Sequence, residues 1–299
     1  MSHAVHPEMA PILNEMLAAQ LPDLTKMPPP EARALFERNA TVWNTPLPEM
    51  EMRDTILGGV KARVLQPEAR GGVIVFAHGG GWAFGSPDSH HRSGRLLAQA
   101  TGMQVVLPDY RLAPEHACPA AIDDVLAVVG AIRERSERGG RPLVLFGDSA
   151  GANIALAAAL AGAPAAMLSL VYGCFGPVYD TASHRECGDG KFGLTTERMC
   201  WFWDNWLGSA KDPRAAPLNG KLEGLPPVHL LAAGLDCLRD DSLLLAGRLA
   251  SAGVPFRLDI IPGVIHGFLQ MTSRLGPARD AMDMLAAEIR RAVGAEKMQ

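Results

Sequence analysis

Cysteine is scarce in this sequence and forms no pattern. Cys118, Cys174, Cys187, Cys200 and Cys237 are odd in number and widely spaced, with no C-x-x-C pair, so neither a disulfide framework nor a zinc site is expected. Cationic charge is not in surplus either. Against 28 Lys and Arg stand 32 Asp and Glu, giving a net charge of -4 and a pI near 6.1, which excludes the electrostatic footprint of a nucleic-acid or anionic-membrane binder. No apolar run approaches the length that spans a bilayer. Residues 1–20 lack a cationic start and carry Glu8 and Glu15, unlike a signal peptide. Repeats and low-complexity tracts are missing too. These absences predict a globular cytoplasmic protein that acts on a small molecule, with no nucleic acid, membrane, metal or cofactor as partner.

What is present is ample for a core: 299 residues, 48% hydrophobic and 20% charged, enough for one large domain or two small ones. Residues 8–44 carry helical patterning interrupted by Pro28-Pro29-Pro30, which predicts two helices meeting at a stiff corner. Runs at 52–57 and 60–65 flank Gly58-Gly59, as in a hairpin. From there short β-rich runs alternate with helical segments: strands at 73–77, 105–108, 143–146 and 167–172, and helices near 90–100, 120–135 and after Ser149. Such alternation means crossover units and a mostly parallel sheet with helices on both faces.

Residues 178–224 interrupt the alternation. They hold no good strand but carry Trp201, Phe202, Trp203 and Trp206 within a plausible helix. The alternation resumes with strands at 228–233 and 256–261 and helices at 238–252 and near 278–293. The organisation predicted is therefore an N-terminal appendage at 1–48, a core at 49–177, an insertion at 178–224, and the rest of the core at 225–299.

In such a sheet, sites form beyond the C-terminal ends of the strands. One strand end reads Gly147-Asp148-Ser149-Ala150-Gly151. A G-x-S-x-G turn bends so sharply that side chains beside the serine would collide with neighbouring backbone, and it holds the hydroxyl out toward substrate. Taken alone, the turn fits equally well a helix N-terminus that packs closely or binds an anion.

Its company decides the matter. A serine hydroxyl needs a base, and the base needs a partner to fix its tautomer. Asp236 lies just past the strand at 228–233, and His266 lies on the loop 262–267 after the strand at 256–261. The chain order Ser149, Asp236, His266 is that of an α/β-hydrolase. Another strand end, His78-Gly79-Gly80-Gly81-Trp82, offers unobstructed backbone N–H groups: those of Gly80 and Gly81, with that of Ala150, fit the oxyanion of an acyl-transfer intermediate. Neither G-K-[ST] nor G-x-G-x-x-G follows, so a nucleotide loop is a weak reading.

Rival groups have plainer readings. Asp123, Asp124, Asp240 and Asp241 fall at or inside predicted helices, where early carboxylates favour the helix dipole, and Asp236 itself is also placed as a helix cap. His90, His91, His116, His184 and His229 have no acid at strand-end spacing.

At this point the chain resembles the hormone-sensitive-lipase-like esterases, or bacterial family IV carboxylesterases, from about residue 50 to the C-terminus. The likeness rests on His78-Gly79-Gly80-Gly81-Trp82, on Asp109-Tyr110-Arg111-Leu112-Ala113-Pro114-Glu115 and on the Ser149 turn, with the Asp236 segment and His266-Gly267-Phe268 matching in position and order. The bacterial acetyl esterases are a near likeness, from Asp240-Asp241-Ser242 and His266-Gly267-Phe268-Leu269. Ala152-Asn153 and Cys237 depart from the family pattern and remove no catalytic group.

The resemblance implies Ser149 as nucleophile, His266 as general base and acid, and Asp236 as its orienting partner. It implies a helical cap made of 1–48 and 178–224, a bracing role for Asp109-Tyr110-Arg111, and a homodimer, for which no residue pattern speaks. Trp82, Trp201, Trp203 and Trp206 are the candidate pocket residues, although helical aromatics more often bury against their own domain. The function expected is serine carboxylesterase on short acyl esters. Related folds with H-G-G loops cleave aryl formamides, and plant hormone receptors resembling the family bind ligand without turnover, but those lack the histidine that His266 supplies here.

Overall fold

A computed structural model describes residues 4–68, 71–135, 140–209 and 211–296. Eight strands form one sheet in the order β1-β2-β4-β3-β5-β6-β7-β8: β1 Glu51–Leu57, β2 Val60–Gln66, β3 Val73–Ala77, β4 Gln104–Pro108, β5 Leu143–Asp148, β6 Met167–Val171, β7 Val228–Leu235 and β8 Phe256–Ile265. The β1–β2 hairpin and the β2–β4 pair are antiparallel, and every pairing from β4 through β8 is parallel. The fold is that of an α/β-hydrolase.

The central strands read as nearly continuous apolar runs because both their faces are covered. Every residue of β3, β5 and β6 is buried. Helices α3 His91–Thr101, α4 Ala120–Arg135, α5 Ala150–Leu160, α8 Arg239–Ser251 and α9 Gly276–Glu296 supply the cover, with α3 packed beside α9 and α4 beside α5. Helix α5 is nearly all alanine, glycine and leucine; alanine favours helix at no side-chain entropy cost, and its small size lets α5 lie close on the sheet.

The N-terminal segment forms helices α1 Met9–Ala18 and α2 Pro29–Ala40, with a 3₁₀ turn at Leu24–Lys26. Its first three residues lie outside those described. Pro29 and Pro30 occupy the first positions of α2, where a missing N–H costs nothing. Residues 178–224 form helices α6 Ala182–Cys187 and α7 Thr196–Leu207 and two 3₁₀ turns.

Both segments meet on the turn that follows Gly79-Gly80-Gly81. Arg33 donates to the carbonyls of Ala83 and Ala113 at 3.0 Å each and pairs with Glu115. Phe36 stacks on Phe84 with centroids 5.8 Å apart, and Trp201 stacks on the same ring at 6.1 Å.

One boundary differs from expectation. Residues 262–265 continue β8 instead of forming a loop. Pro262 is tolerated because β8 is an edge strand, and a register shift opposite Ala233 and Leu235 absorbs the extra length.

Candidate active site

Strands β3 and β5 are neighbours in register, with Ala77 opposite Gly147, so the residues that follow them emerge side by side. Gly147 and Gly151 are required by contact. A Cβ on Gly147 would sit 2.2 Å from the Gly151 carbonyl oxygen, and one on Gly151 would sit 2.0 Å from that of Ala77. Between them Ser149 takes φ 53° and ψ -122°, a conformation that L-residues rarely adopt and that costs on the order of 1–3 kcal/mol. Bonds on both sides hold it there: Ser149 N–H donates to Val171 O at 2.8 Å, and Ser149 O accepts from Ala152 N–H at 3.0 Å.

Asp236 and His266 stand immediately beyond β7 and β8. His266 Nε2 lies 2.9 Å from Ser149 Oγ, and His266 Nδ1 lies 2.6 Å from Asp236 Oδ2. Asp236 is buried, and its Oδ1 accepts the Leu238 N–H at 2.9 Å; the N-cap of α8 is Leu238, so Asp236 braces the turn before the helix and does not cap it. Burial alone would lower the His266 pKa, but the Asp236 carboxylate, with Asp148 behind it, holds it above the ordinary 6.5.

The glycine loop follows β3. Gly80 and Gly81 have φ of 125° and 60°, and no described residue accepts their N–H groups. Ala150 opens α5, where the first N–H groups have no partner within the helix. A Cβ at Gly81 would meet the Phe202 ring at 2.1 Å. The aromatic of α7 that touches this loop is therefore Phe202.

The four tryptophans divide. Trp82 stacks on Trp206 with centroids 5.1 Å apart and meets Trp203 edge-on at 4.8 Å; all three are 0–1% exposed and offer a ligand no surface. This corrects the pocket expectation for Trp82, Trp203 and Trp206, whose size serves the core. Trp201 is half-buried beside Phe84.

Asp109-Tyr110-Arg111 braces as expected. The Tyr110 ring stacks on His78 at 4.1 Å and its hydroxyl donates to His78 O at 2.7 Å. Arg111 pairs with Asp124 at 2.7 Å. Burial pushes the His78 pKa down to about 3, so the ring is neutral at ordinary pH.

Two histidines have acids that strand-end spacing does not reveal. His229 Nε2 lies 2.8 Å from Asp259 Oδ2 on the adjacent strand. His90 lies 3.4 Å from Asp148 Oδ1, a carboxylate inside the serine turn itself. A cleft of about 430 Å³ opens elsewhere, beside Met167, Val228, His229 and Arg257. It sits at the N-terminal ends of β6 to β8, away from Ser149.

Comparison with known proteins identifies the family. A family profile described as the alpha/beta hydrolase fold matches residues 74–270. The chain belongs to that family. It is 34% identical over 253 residues to the carboxylic ester hydrolase LipN of Mycobacterium tuberculosis, covering 78% of this chain and 67% of that protein. It is 33% identical over 269 residues to an acetyl esterase of Salmonella schwarzengrund, covering 83% and 82%. Among solved structures, a hyperthermophilic esterase from Pyrobaculum calidifontis superposes with a TM-score of 0.89 at 31% identity, over 97% of this chain and 99% of that one.

Proposed function

We propose that this α/β-hydrolase is a serine carboxylesterase that hydrolyses short-chain acyl esters of small alcohols or phenols through an acyl-enzyme intermediate. The observation that carries the reading is the unbroken run from Asp236 Oδ2 through both nitrogens of His266 to Ser149 Oγ, at 2.6 and 2.9 Å. In this reading Ser149 Oγ attacks the ester carbonyl while His266 Nε2 takes its proton, and Asp236 stabilises the imidazolium that forms. The tetrahedral oxyanion accepts from the N–H groups of Gly80, Gly81 and Ala150; each such donor is worth about 3 kcal/mol of barrier. His266 then protonates the departing alcohol. A water, deprotonated by the same nitrogen, attacks the acyl-enzyme and releases the acid.

The names of the Salmonella and mycobacterial relatives favour an ester, and acetyl in particular. A cap built from 1–48 and 178–224 is part of this reading: both segments pack on the Ala83–Phe84 turn, and Arg198 of α7 pairs with Asp23 of the N-terminal segment. So is a homodimer, which rests on the family likeness alone. The cytoplasmic assignment draws support from the five cysteines, all free and four of them buried.

The test is covalent. A fluorescent organophosphonate should label the protein and stop ester turnover, and Ser149→Ala should abolish both. Labelling and turnover that survive in Ser149→Ala would defeat the mechanism. Rates on p-nitrophenyl acetate, p-nitrophenyl octanoate and an N-formyl aniline separate a short-chain esterase from a lipase-like or formamide-cleaving enzyme.

A further inference from the structure

Asp148 is a buried carboxylate that the reaction does not consume, placed between the nucleophile and the oxyanion loop. Its Oδ1 accepts the Gly79 N–H at 2.8 Å. His90 Nε2 lies 3.4 Å from the same oxygen and 3.3 Å from that N–H nitrogen, and Gln270 Nε2 lies 2.9 Å from His90 Nε2. Tyr172 donates its hydroxyl to Asp148 Oδ2 at 3.4 Å. Gly79 is pressed so closely on the carboxylate that a Cβ there would stand 2.7 Å from Asp148 Oδ2.

Burying a carboxylate costs several kcal/mol before its hydrogen bonds compensate, and a well-packed apolar residue commonly does as well for stability. What the carboxylate adds is direction. Gly79 precedes Gly80, so fixing the plane of its peptide fixes where the following N–H groups point. His90 is the N-cap of α3, and Gln270 lies in the 3₁₀ turn Phe268–Met271 just beyond His266. One chain of polar contacts therefore links the glycine loop, the serine turn and the histidine loop. It uses none of the Ser149–His266–Asp236 bonds.

We propose that Asp148, backed by His90 and Gln270, is a positioning residue that holds the oxyanion loop in register with the serine turn. The inference rests on the esterase reading above. Burial alone would raise the Asp148 pKa, but the His90 ring and the Gly79 N–H hold it below the usual carboxylate range, so it remains a full-strength acceptor at ordinary pH.

The experiment compares wild type with Asp148→Ala, Asp148→Asn and Gln270→Leu on p-nitrophenyl acetate, with thermal melts and organophosphonate labelling alongside. Loss of one oxyanion donor typically costs 10²–10³ in kcat. Asp148→Ala should therefore lose about 100-fold in kcat with KM within about threefold. Asp148→Asn keeps an acceptor for Gly79 and should recover most of that loss, while Gln270→Leu should lose roughly 3- to 10-fold in kcat at unchanged KM.

A folded Asp148→Ala with near-wild-type kcat overturns the proposal, as does an Asn variant as impaired as the Ala one. Should Asp148→Ala fail to fold, the other two variants decide, and unchanged kcat in Gln270→Leu counts against it. Absence of turnover and labelling in wild type would instead sink the esterase reading, and this inference with it.

Discussion

Asp236 Oδ2 sits 2.6 Å from His266 Nδ1 with the carboxylate shut away from solvent, while the histidine keeps its other nitrogen toward Ser149. The direction of the pH response follows. His266 must be neutral to take the serine proton, and the Asp236 carboxylate raises its pKa above 6.5 against the lowering effect of burial. Activity should therefore fall on the acid side, with the midpoint of kcat/KM in the free enzyme above 6.5. A profile flat from pH 5 to 8, or a midpoint below 6, contradicts the assignment.

Replacing Asp236 by Asn keeps the shape and removes the charge. The amide stabilises no imidazolium and favours the wrong tautomer, changes that in a Ser-His-Asp enzyme lower kcat by about 10⁴. Steady-state rates at pH 8 with the melting temperature measured alongside are the check. A well-folded variant within tenfold of wild type would remove Asp236 from the role.

The serine turn should be intolerant of any side chain at its flanking glycines. Gly151→Ala places a methyl 2.0 Å from the Ala77 carbonyl oxygen, which is backbone of a central buried strand and cannot yield. The expected outcome is no folded protein, or a loss beyond about 4 kcal/mol in denaturant unfolding. Gly247→Ala is the control: it lies inside α8 with open space around it and no left-handed φ. Similar losses in the two variants would mean that contact is not the cause.

These sites differ in how far the sequence reveals them. Strands β3, β5 and β6 are legible because burial on both faces leaves them almost wholly apolar, and Ser149, Asp236 and His266 are legible because each follows a strand-like run at or near its end. Asp148 is visible in the motif but silent in meaning. Its partners, Gly79 and His90, are 69 and 58 residues away in the chain, and only the β3–β5 pairing brings them together. The division of the tryptophans is hidden for a different reason. Positions 201, 202, 203 and 206 share one helix, and which of its faces is covered depends on where Trp82 and Phe84 arrive from another strand end.

With Trp82, Trp203 and Trp206 buried in the core, Phe202, whose ring lies against Gly81, is the aromatic whose replacement tests control of acyl-chain length. Phe202→Ala removes the aromatic wall beside the oxyanion loop while leaving the glycines in place. Pockets discriminate by about 1–3 kcal/mol per methylene-sized change, so the ratio of p-nitrophenyl octanoate to acetate kcat/KM should rise by about tenfold or more. An unchanged ratio would show that chain length is limited elsewhere.

Asp241 gives a stability test independent of catalysis. It is 1% exposed, its Oδ1 accepts the Phe175 N–H at 3.0 Å, and its Oδ2 has no partner among the described residues. Burial, the largest cause, and the nearby Asp236 push its pKa up to about 8 from an ordinary 3.8. In the unfolded chain the group ionises near pH 4, but in the folded protein it stays protonated until about pH 8, so across that window the folded state binds more protons. Its stability contribution is thus fully present below pH 4 and is lost as pH rises through the folded pKa. Asp241→Asn keeps the amide oxygen for Phe175 and cannot ionise. Relative to wild type, the variant should gain stability as pH climbs from about 4 to 8, by up to about 1.4 kcal/mol per pH unit. Urea unfolding of both proteins at several pH values reads this difference directly. Parallel stability curves would mean that Asp241 is ionised in the folded protein, with a donor to Oδ2 that offsets its burial.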